Sequence, residues 1–252
     1  MSNAFSYNET TMIVDNIRFY EPVPENEWPF FLPPIRQIIK SGLRFRKPIT
    51  FIVGENGTGK STLIEGIAEA YGLDVRGGHG GRMYAPPKDD KNILGKHLKL
   101  DLTSTGFRTK AQNAQGFFLR SETAKGVFEY MSDYGVGGYG DKDISEVSHG
   151  EGYVQVLLGR FVKQGLYLLD EPEAALSFTS CLVLMKRLKL IVENGSQVIC
   201  ATHSPLITAL PEADIFEITD YGITSVKWSE LELVKHWQRF MSSPDHYLKD
   251  LE

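Results

Sequence analysis

Apolar residues along this chain come in short dense runs, set off by glycine and proline, and their spacing switches between strand and helix periods. Residues 12–20 read as a first strand. The stretch that follows, PENEWPFFLPPI, holds too many prolines to stay regular for long. Residues 49–53 form a β-branched apolar run between Pro48 and Gly54, the pattern of a buried strand. Leu63, Ile64, Ile67, Ala68 and Tyr71 then recur at helical spacing, and Gly72 sits where a helix stops. Beyond Ser148 the order is regular again, with a helix over 151–161, a strand over 166–169, a helix over 178–193 ended by Gly195, and a strand over 198–201. Strand–helix–strand alternation predicts an α/β fold, with a mostly parallel sheet flanked by helices. Residues 214–218 and 223–228 read as a hairpin around Asp220-Tyr221-Gly222. Ser229 and Glu232 have the spacing of a capping box that opens a last helix.

Residues 73–147 break this rhythm. Glycine-rich segments, RGGHGGR and DYGVGGYGD, mark both ends, and residues 82–125 carry nine lysines and arginines against four acids. The segment reads as a lobe inserted into one domain that spans residues 1–252. Its basic excess is either a solvated surface or a local face for a partner. Over the whole chain the net charge is −5, which removes any global electrostatic case for nucleic-acid binding. A chain of 252 residues can bury a core without disulfides. Cys181 and Cys200 lie in apolar segments without ligand spacing and read as buried free thiols, which suits a reducing compartment. No apolar run approaches the ~20 residues that span a bilayer. The first residues lack the parts of a signal peptide. A cytoplasmic location without membrane insertion is the expectation.

Four segments carry chemistry. Gly54-Glu55-Asn56-Gly57-Thr58-Gly59-Lys60-Ser61, followed by Thr62, fits the eight-position P-loop pattern without a mismatch, between a buried strand and an amphipathic helix. Such glycines let backbone N–H groups wrap a phosphate, and the helix start adds positive partial charge. Lys60 is placed to reach the β- and γ-phosphates of ATP, and Ser61 to ligate Mg²⁺. Second, the apolar run 166–169 ends in Asp170-Glu171. Paired acids at a strand end are costly unless a cation meets them, so Asp170 is the second Mg²⁺ candidate and Glu171 the candidate general base. Third, His203 follows the 198–201 strand, where it could contact a γ-phosphate or orient water, although a lone histidine there can also be structural. Fourth, Val147-Ser148-His149-Gly150-Glu151 opens a helix: either an ordinary serine cap or a second anion site.

The order GENGTGKS, VSHGE, LYLLDEPEAALS, ATHS resembles the ATP-binding-cassette ATPases, and specifically the stand-alone bacterial AAA-family ATPases of that superfamily. These are relatives of chromosome-maintenance and double-strand-break-repair ATPases. The resemblance covers roughly residues 12–220. It implies a cassette-type P-loop fold with an antiparallel β part near the N-terminus. It implies that Ser148 and Gly150 form a signature motif for the γ-phosphate of another subunit's ATP, and hence a head-to-tail dimer around two nucleotides. Where the family has a second glycine and a glutamine in the signature, this chain has His149 and Glu151. Ala174-Ala175-Leu176-Ser177 resembles the D-loop but ends in Ser, not Asp. The Q-loop glutamine is expected just after a strand like 116–120, where Ser121 and Glu122 stand; the nearest glutamine, Gln115, precedes that strand. Phe30 or Phe31 lies at the right distance to stack on adenine, or belongs to the core.

The expected function is a soluble ATPase whose nucleotide-dependent closure drives a protein or nucleic-acid partner. The alternatives are the motor subunit of a membrane transporter, a DNA-repair or anti-phage module, and a nucleotide-gated scaffold without turnover. The SxGE signature weighs against transport. Only 86 residues separate Ser61 from Ser148, too few for long coiled-coil arms. The intact Glu171 weighs against a mere scaffold.

Overall fold

The computed structural model describes residues 12–20, 22–75, 77–78, 94–120, 161 and 163–249. Two sheets organise them. A small antiparallel sheet is ordered β2-β1-β4, with β1 at Val14–Phe19, β2 at Leu43–Arg44 and β4 at Leu98–Leu102. The main sheet has the order β5-β6-β7-β3-β8-β9. Its strands are β3 (Ile49–Gly54), β5 (Gly116–Arg120), β6 (Leu166–Asp170), β7 (Gln197–Ala201), β8 (Asp214–Thr219) and β9 (Gly222–Ser225). The five strands from β5 to β8 run parallel, and β9 turns back antiparallel on β8.

Both faces of the main sheet are covered, which is why β3, β6 and β7 read as continuous apolar runs. Alternate residues split between two cores. Ile52, Leu168 and Ile199 face α2 (Lys60–Tyr71) and α1 (Pro33–Ser41), beneath the small sheet. Phe51, Val53, Leu169 and Cys200 face the opposite way, onto Leu184, Leu188 and Ile191 of α5 (Phe178–Glu193). Short helices α3 (Leu94–His97) and α4 (Ser104–Ala111) flank β4, while α6 (Glu232–Ser242) and α7 (Pro244–Leu248) finish the described chain. Two helix boundaries follow local chemistry: Gly72 caps α2 in the left-handed region at φ 103°, and Ser177 caps α5 by accepting from the Ser180 N–H at 3.2 Å.

The proline-rich stretch runs as turns and loop up to Leu32, as expected, and then Pro33 and Pro34 occupy the first turn of α1, where a missing N–H costs nothing. Residues 94–120, within the span read as an inserted lobe, contribute strands and helices to both sheets. Here β4 completes the small sheet and β5 forms an edge of the main one. The other parts of the expected lobe, 79–93 and 121–147, lie outside the described residues, as do 148–160. No capping box forms at Ser229. That residue sits in a 3-10 turn, Trp228–Glu230, where the Lys227 N–H donates to Glu230 Oε2 and the Trp228 indole donates to the Pro205 carbonyl. Helix α6 starts instead at Glu232, whose N–H donates to Glu217 Oε1.

One buried side chain ties the two sheets together. Gln197, fully buried at the start of β7, accepts from the N–H groups of Ile13 and Val14 at 3.0 and 2.7 Å and donates to the Val14 carbonyl at 3.0 Å. Its amide serves as a strand partner for the chain entering β1. Gln197→Ala leaves two N–H groups and a carbonyl without those bonds and should lower the unfolding free energy by about 3 kcal/mol. Urea denaturation checks this; an unchanged midpoint would show that the sheets dock independently of that amide.

Candidate nucleotide site

Three parallel strands, β3, β6 and β7, present their carboxyl ends to one cleft. The loop after β3 is shaped by what its glycines permit. A Cβ at Gly54 would run into the Ile218 carbonyl of β8, so only glycine lets the loop leave the sheet there. Gly57 and Gly59 take φ values of 81° and 96°, and Gly59 is the N-cap of α2. Thr58 Oγ1 donates to the Glu55 carbonyl at 2.8 Å and closes the turn. The cleft above it, about 290 Å³, is lined by Trp28, Leu32, Asn56, Gly57, residues 59–62 and Glu171.

Lys60 opens α2 and is only 4% exposed. Its Nζ donates to the Glu55 carbonyl at 2.8 Å. Burial pushes its pKa down, while Glu171, Asp170, Glu55 and Glu173 push it up. Ser61 Oγ donates to Asp170 Oδ1 at 3.0 Å, bringing a hydroxyl and a carboxylate together at the helix start. Two hard oxygen donors in that place suit Mg²⁺. Among the described residues no group of three or more His, Cys, Asp or Glu gathers as a metal cage. A cation here would therefore depend on phosphate and water oxygens, as Mg²⁺ commonly does.

Glu171 is the conformational outlier of the site. It holds φ 49° and ψ 52°, the left-handed region, which a non-glycine residue occupies at a cost of about 1–3 kcal/mol. Two backbone bonds keep it there: its N–H to the Ala201 carbonyl at 2.9 Å, and its own carbonyl to the Ala174 N–H at 3.1 Å. The strained turn aims its carboxylate into the cleft, where Oε1 lies 3.4 Å from His203 Nε2. A carboxylate and an imidazole in that relation can share the work of orienting and deprotonating a water molecule.

Lys60, Ser61 and Glu171 thus line one cleft with Asn56, Gly57, Gly59 and Thr62, while Asp170 stands behind Ser61 and His203 beside Glu171. Ser148 and Gly150 lie outside the described residues. Phe30 is fully buried in the core, edge-on to Phe19 and His97. Phe31 is half-exposed and not among the residues lining the cleft. The aromatic on the cleft wall is Trp28, 51% exposed and next to Leu32, whose side chain abuts Gly59. Its sequence position between Glu27 and Pro29 gives no periodic signal, and only the folded-back loop reveals it. At the expected Q-loop, Gln115 sits at the amino edge of β5, far from the cleft, where its N–H donates to the Thr109 carbonyl. At the carboxyl edge stands Arg120, the strand partner of Asp170, paired with Glu65 of α2 at 3.0 Å. Glu65 lies one turn beyond Ser61, so α2 meets the sheet edge through two adjacent polar rungs.

Two family models match the chain: "AAA domain" over residues 35–115, and "AAA domain, putative AbiEii toxin, Type IV TA system" over residues 89–209. The cytochrome c biogenesis ATP-binding export protein CcmA of Salmonella typhi is 26% identical over 162 residues, covering 62% of this chain and 76% of CcmA. ABC transporter G family member 43 of Arabidopsis thaliana is 23% identical over 86% of this chain, which spans only 16% of that protein's length. Among solved structures, CbiO1 from Clostridium perfringens, described as part of the ABC transporter complex cbiONQ, superimposes with a TM-score of 0.47 at 18% identity, over 82% of this chain and 90% of CbiO1. Both matched models are of AAA domains, and the parallel sheet with its glycine-rich loop before α2 has the P-loop fold. Among the described residues no helix is long and apolar enough to cross a membrane.

Trp28 offers an indole face where a nucleobase could stack beside the phosphate loop. Trp28→Ala should raise the Kd for ATP about tenfold, the scale of one aromatic–base stack. Equilibrium binding of a fluorescent ATP analogue measures it; unchanged affinity would place the base elsewhere.

Proposed function

We propose that the protein binds Mg-ATP in this cleft and hydrolyses it, with residues 54–62 cradling the phosphates and Glu171 as the general base. The observation that carries this reading is the convergence of Glu171 with Lys60 and Ser61 on a single cleft, its carboxylate facing His203 at 3.4 Å. Ser61 and Asp170 are the residues that would hold Mg²⁺, which on binding neutralises developing phosphate charge. Lys60 holds the terminal phosphates, Glu171 accepts the proton of the attacking water, and His203 keeps that water in line.

In this reading the chain acts as one ATPase unit, and two copies close head to tail around two nucleotides. Its support is a sequence imbalance: one P-loop with its two acids suffices for one Mg-ATP, yet the resemblance to the cassette ATPases implies a further anion motif at Ser148 and Gly150. Closure would then drive a protein or nucleic-acid partner in the cytoplasm. Similarity to CcmA, a named export protein, favours a second reading in which the chain powers a membrane transporter. Turnover stimulated by double-stranded DNA supports the first, and co-purification with a membrane permease the second.

Glu171→Gln removes the proton acceptor and leaves the phosphate cradle. It should bind Mg-ATP normally, turn over at least ~100-fold more slowly, and shift from monomer to dimer in light scattering when Mg-ATP is added. Ser148→Arg on that background should block the shift while each monomer still binds ATP. Near-normal turnover of Glu171→Gln would assign the base elsewhere, and a monomer at saturating Mg-ATP would count against the sandwich.

A further inference from the structure

The turn after β6 carries two carboxylates that face different ways. Glu171 lines the cleft. Glu173, two residues on in the 3-10 turn Pro172–Ala175, reaches back under the chain that leaves β7. Its Oε1 accepts from the Thr202 hydroxyl at 2.7 Å and from the His203 backbone N–H at 2.6 Å. Thr202 is itself fully buried, with its N–H on the Ile52 carbonyl of β3 at 3.1 Å and its Oγ1 accepting from the Ser204 N–H at 3.0 Å. The Glu173 carboxylate therefore joins the β6 turn to the β7 exit at the residue where His203 departs from the sheet.

Such a bond is not needed for pairing the strands. β6 and β7 already share a five-residue parallel register, and the Glu171 N–H extends it to the Ala201 carbonyl. Nor is it an inexpensive way to fill space. Glu173 Oε2 is buried and has no hydrogen-bond partner among the described residues. A half-satisfied buried carboxylate costs more than a small apolar residue would. What the bond does control is geometry. The Glu171 and His203 side chains stand on two separate loops, and their 3.4 Å approach requires those loops to keep one spacing. Glu173 belongs to the first loop and grips the backbone of the second.

We propose that Glu173 is a positioning residue for hydrolysis: it fixes the backbone of His203 so that the imidazole stays against Glu171. This rests on the reading above, in which Glu171 is the base and His203 orients the water. Acting through the backbone N–H, Glu173 affects the catalytic step, and as the smallest of the four carboxylate influences on Lys60 it leaves the phosphate loop, built on β3 and α2, nearly as it is. Its amide counterpart keeps an oxygen that can accept both bonds, so Glu173→Gln should preserve most of the function that Glu173→Ala loses.

The test is a double-mutant cycle in the full-length protein, reading kcat, KM and nucleotide affinity together. Glu173→Ala should lower kcat on the order of 10- to 100-fold, the scale of a displaced catalytic group, with nucleotide affinity within about twofold of wild type. Glu173→Gln should recover most of that loss. In a His203→Ala background, adding Glu173→Ala should lower kcat no further. Should Glu173→Ala fail to fold, Glu173→Asp, which keeps the charge and shortens the reach, should show the same kcat-selective loss, again absorbed by His203→Ala. Losses that multiply in the double variant would overturn the proposal, as would weakened binding as the main effect. A His203→Ala protein with slow turnover beside a fully active Glu173→Ala protein removes this inference alone. A fully active His203→Ala protein removes the role of His203 in the underlying reading, and this inference with it.

Discussion

An ammonium group as buried as that of Lys60 would lose its proton in apolar surroundings, because desolvation penalises the charged form. Here burial does push its pKa down, and four carboxylates, of Glu171, Asp170, Glu55 and Glu173, act against it. The side chains around it each have another partner: Lys60 Nζ rests on a neutral carbonyl, that of Glu55, while Asp170 is engaged by the Ser61 hydroxyl and Glu171 faces His203.

Parallel strands covered on both faces make such an arrangement attainable. Helix α2 packs along one face through Leu63, Ile64 and Ile67, which sets its first residues, Lys60 and Ser61, over the carboxyl edge. On the other face α5 packs through Leu184, Leu188 and Ile191, and its N-cap Ser177 closes the turn that began at Glu171. Within the site, backbone strain falls on Glu171. Glu171 occupies left-handed space because the Ala201 carbonyl and the following 3-10 turn hold its backbone from both sides. A site whose charged groups stand on separate strands gains its precision from the sheet, since strand register fixes where each loop begins.

Most of the main sheet was legible in the sequence, for a physical reason: strands buried on both faces leave dense apolar runs, as in residues 49–53, 166–169 and 198–201. The glycine-rich loop and the paired acids stood out in the sequence by their pattern, and the structure brings Lys60, Ser61, Asp170 and Glu171 close together. What escaped depends on contacts between distant segments. Trp28 reaches the cleft wall only because the proline-rich loop folds over Gly59. Glu173 reads in sequence as one more acid after Asp170 and Glu171, and its grip on His203 appears only once β6 and β7 lie side by side. Residues 94–120 looked like an insertion because their strands are short and polar-flanked, yet β4 and β5 each join a sheet whose other strands are far away in sequence. The capping-box spacing at Ser229 misled: residues 228–230 form a 3-10 turn, with the Trp228 indole on the Pro205 carbonyl, and the helix starts at Glu232.

The central claim is that the phosphates of ATP are received at the carboxyl edge of β3, by the lysine now resting on the Glu55 carbonyl. A crystal structure of the Glu171→Gln protein with Mg-ATP tests this most directly. Lys60 Nζ should have left Glu55 for the β- and γ-phosphate oxygens, with the cation between Ser61 Oγ and the Asp170 side and the γ-phosphate next to residue 171 and His203. Nucleotide bound elsewhere, or bound here with Lys60 still on the Glu55 carbonyl, would contradict it.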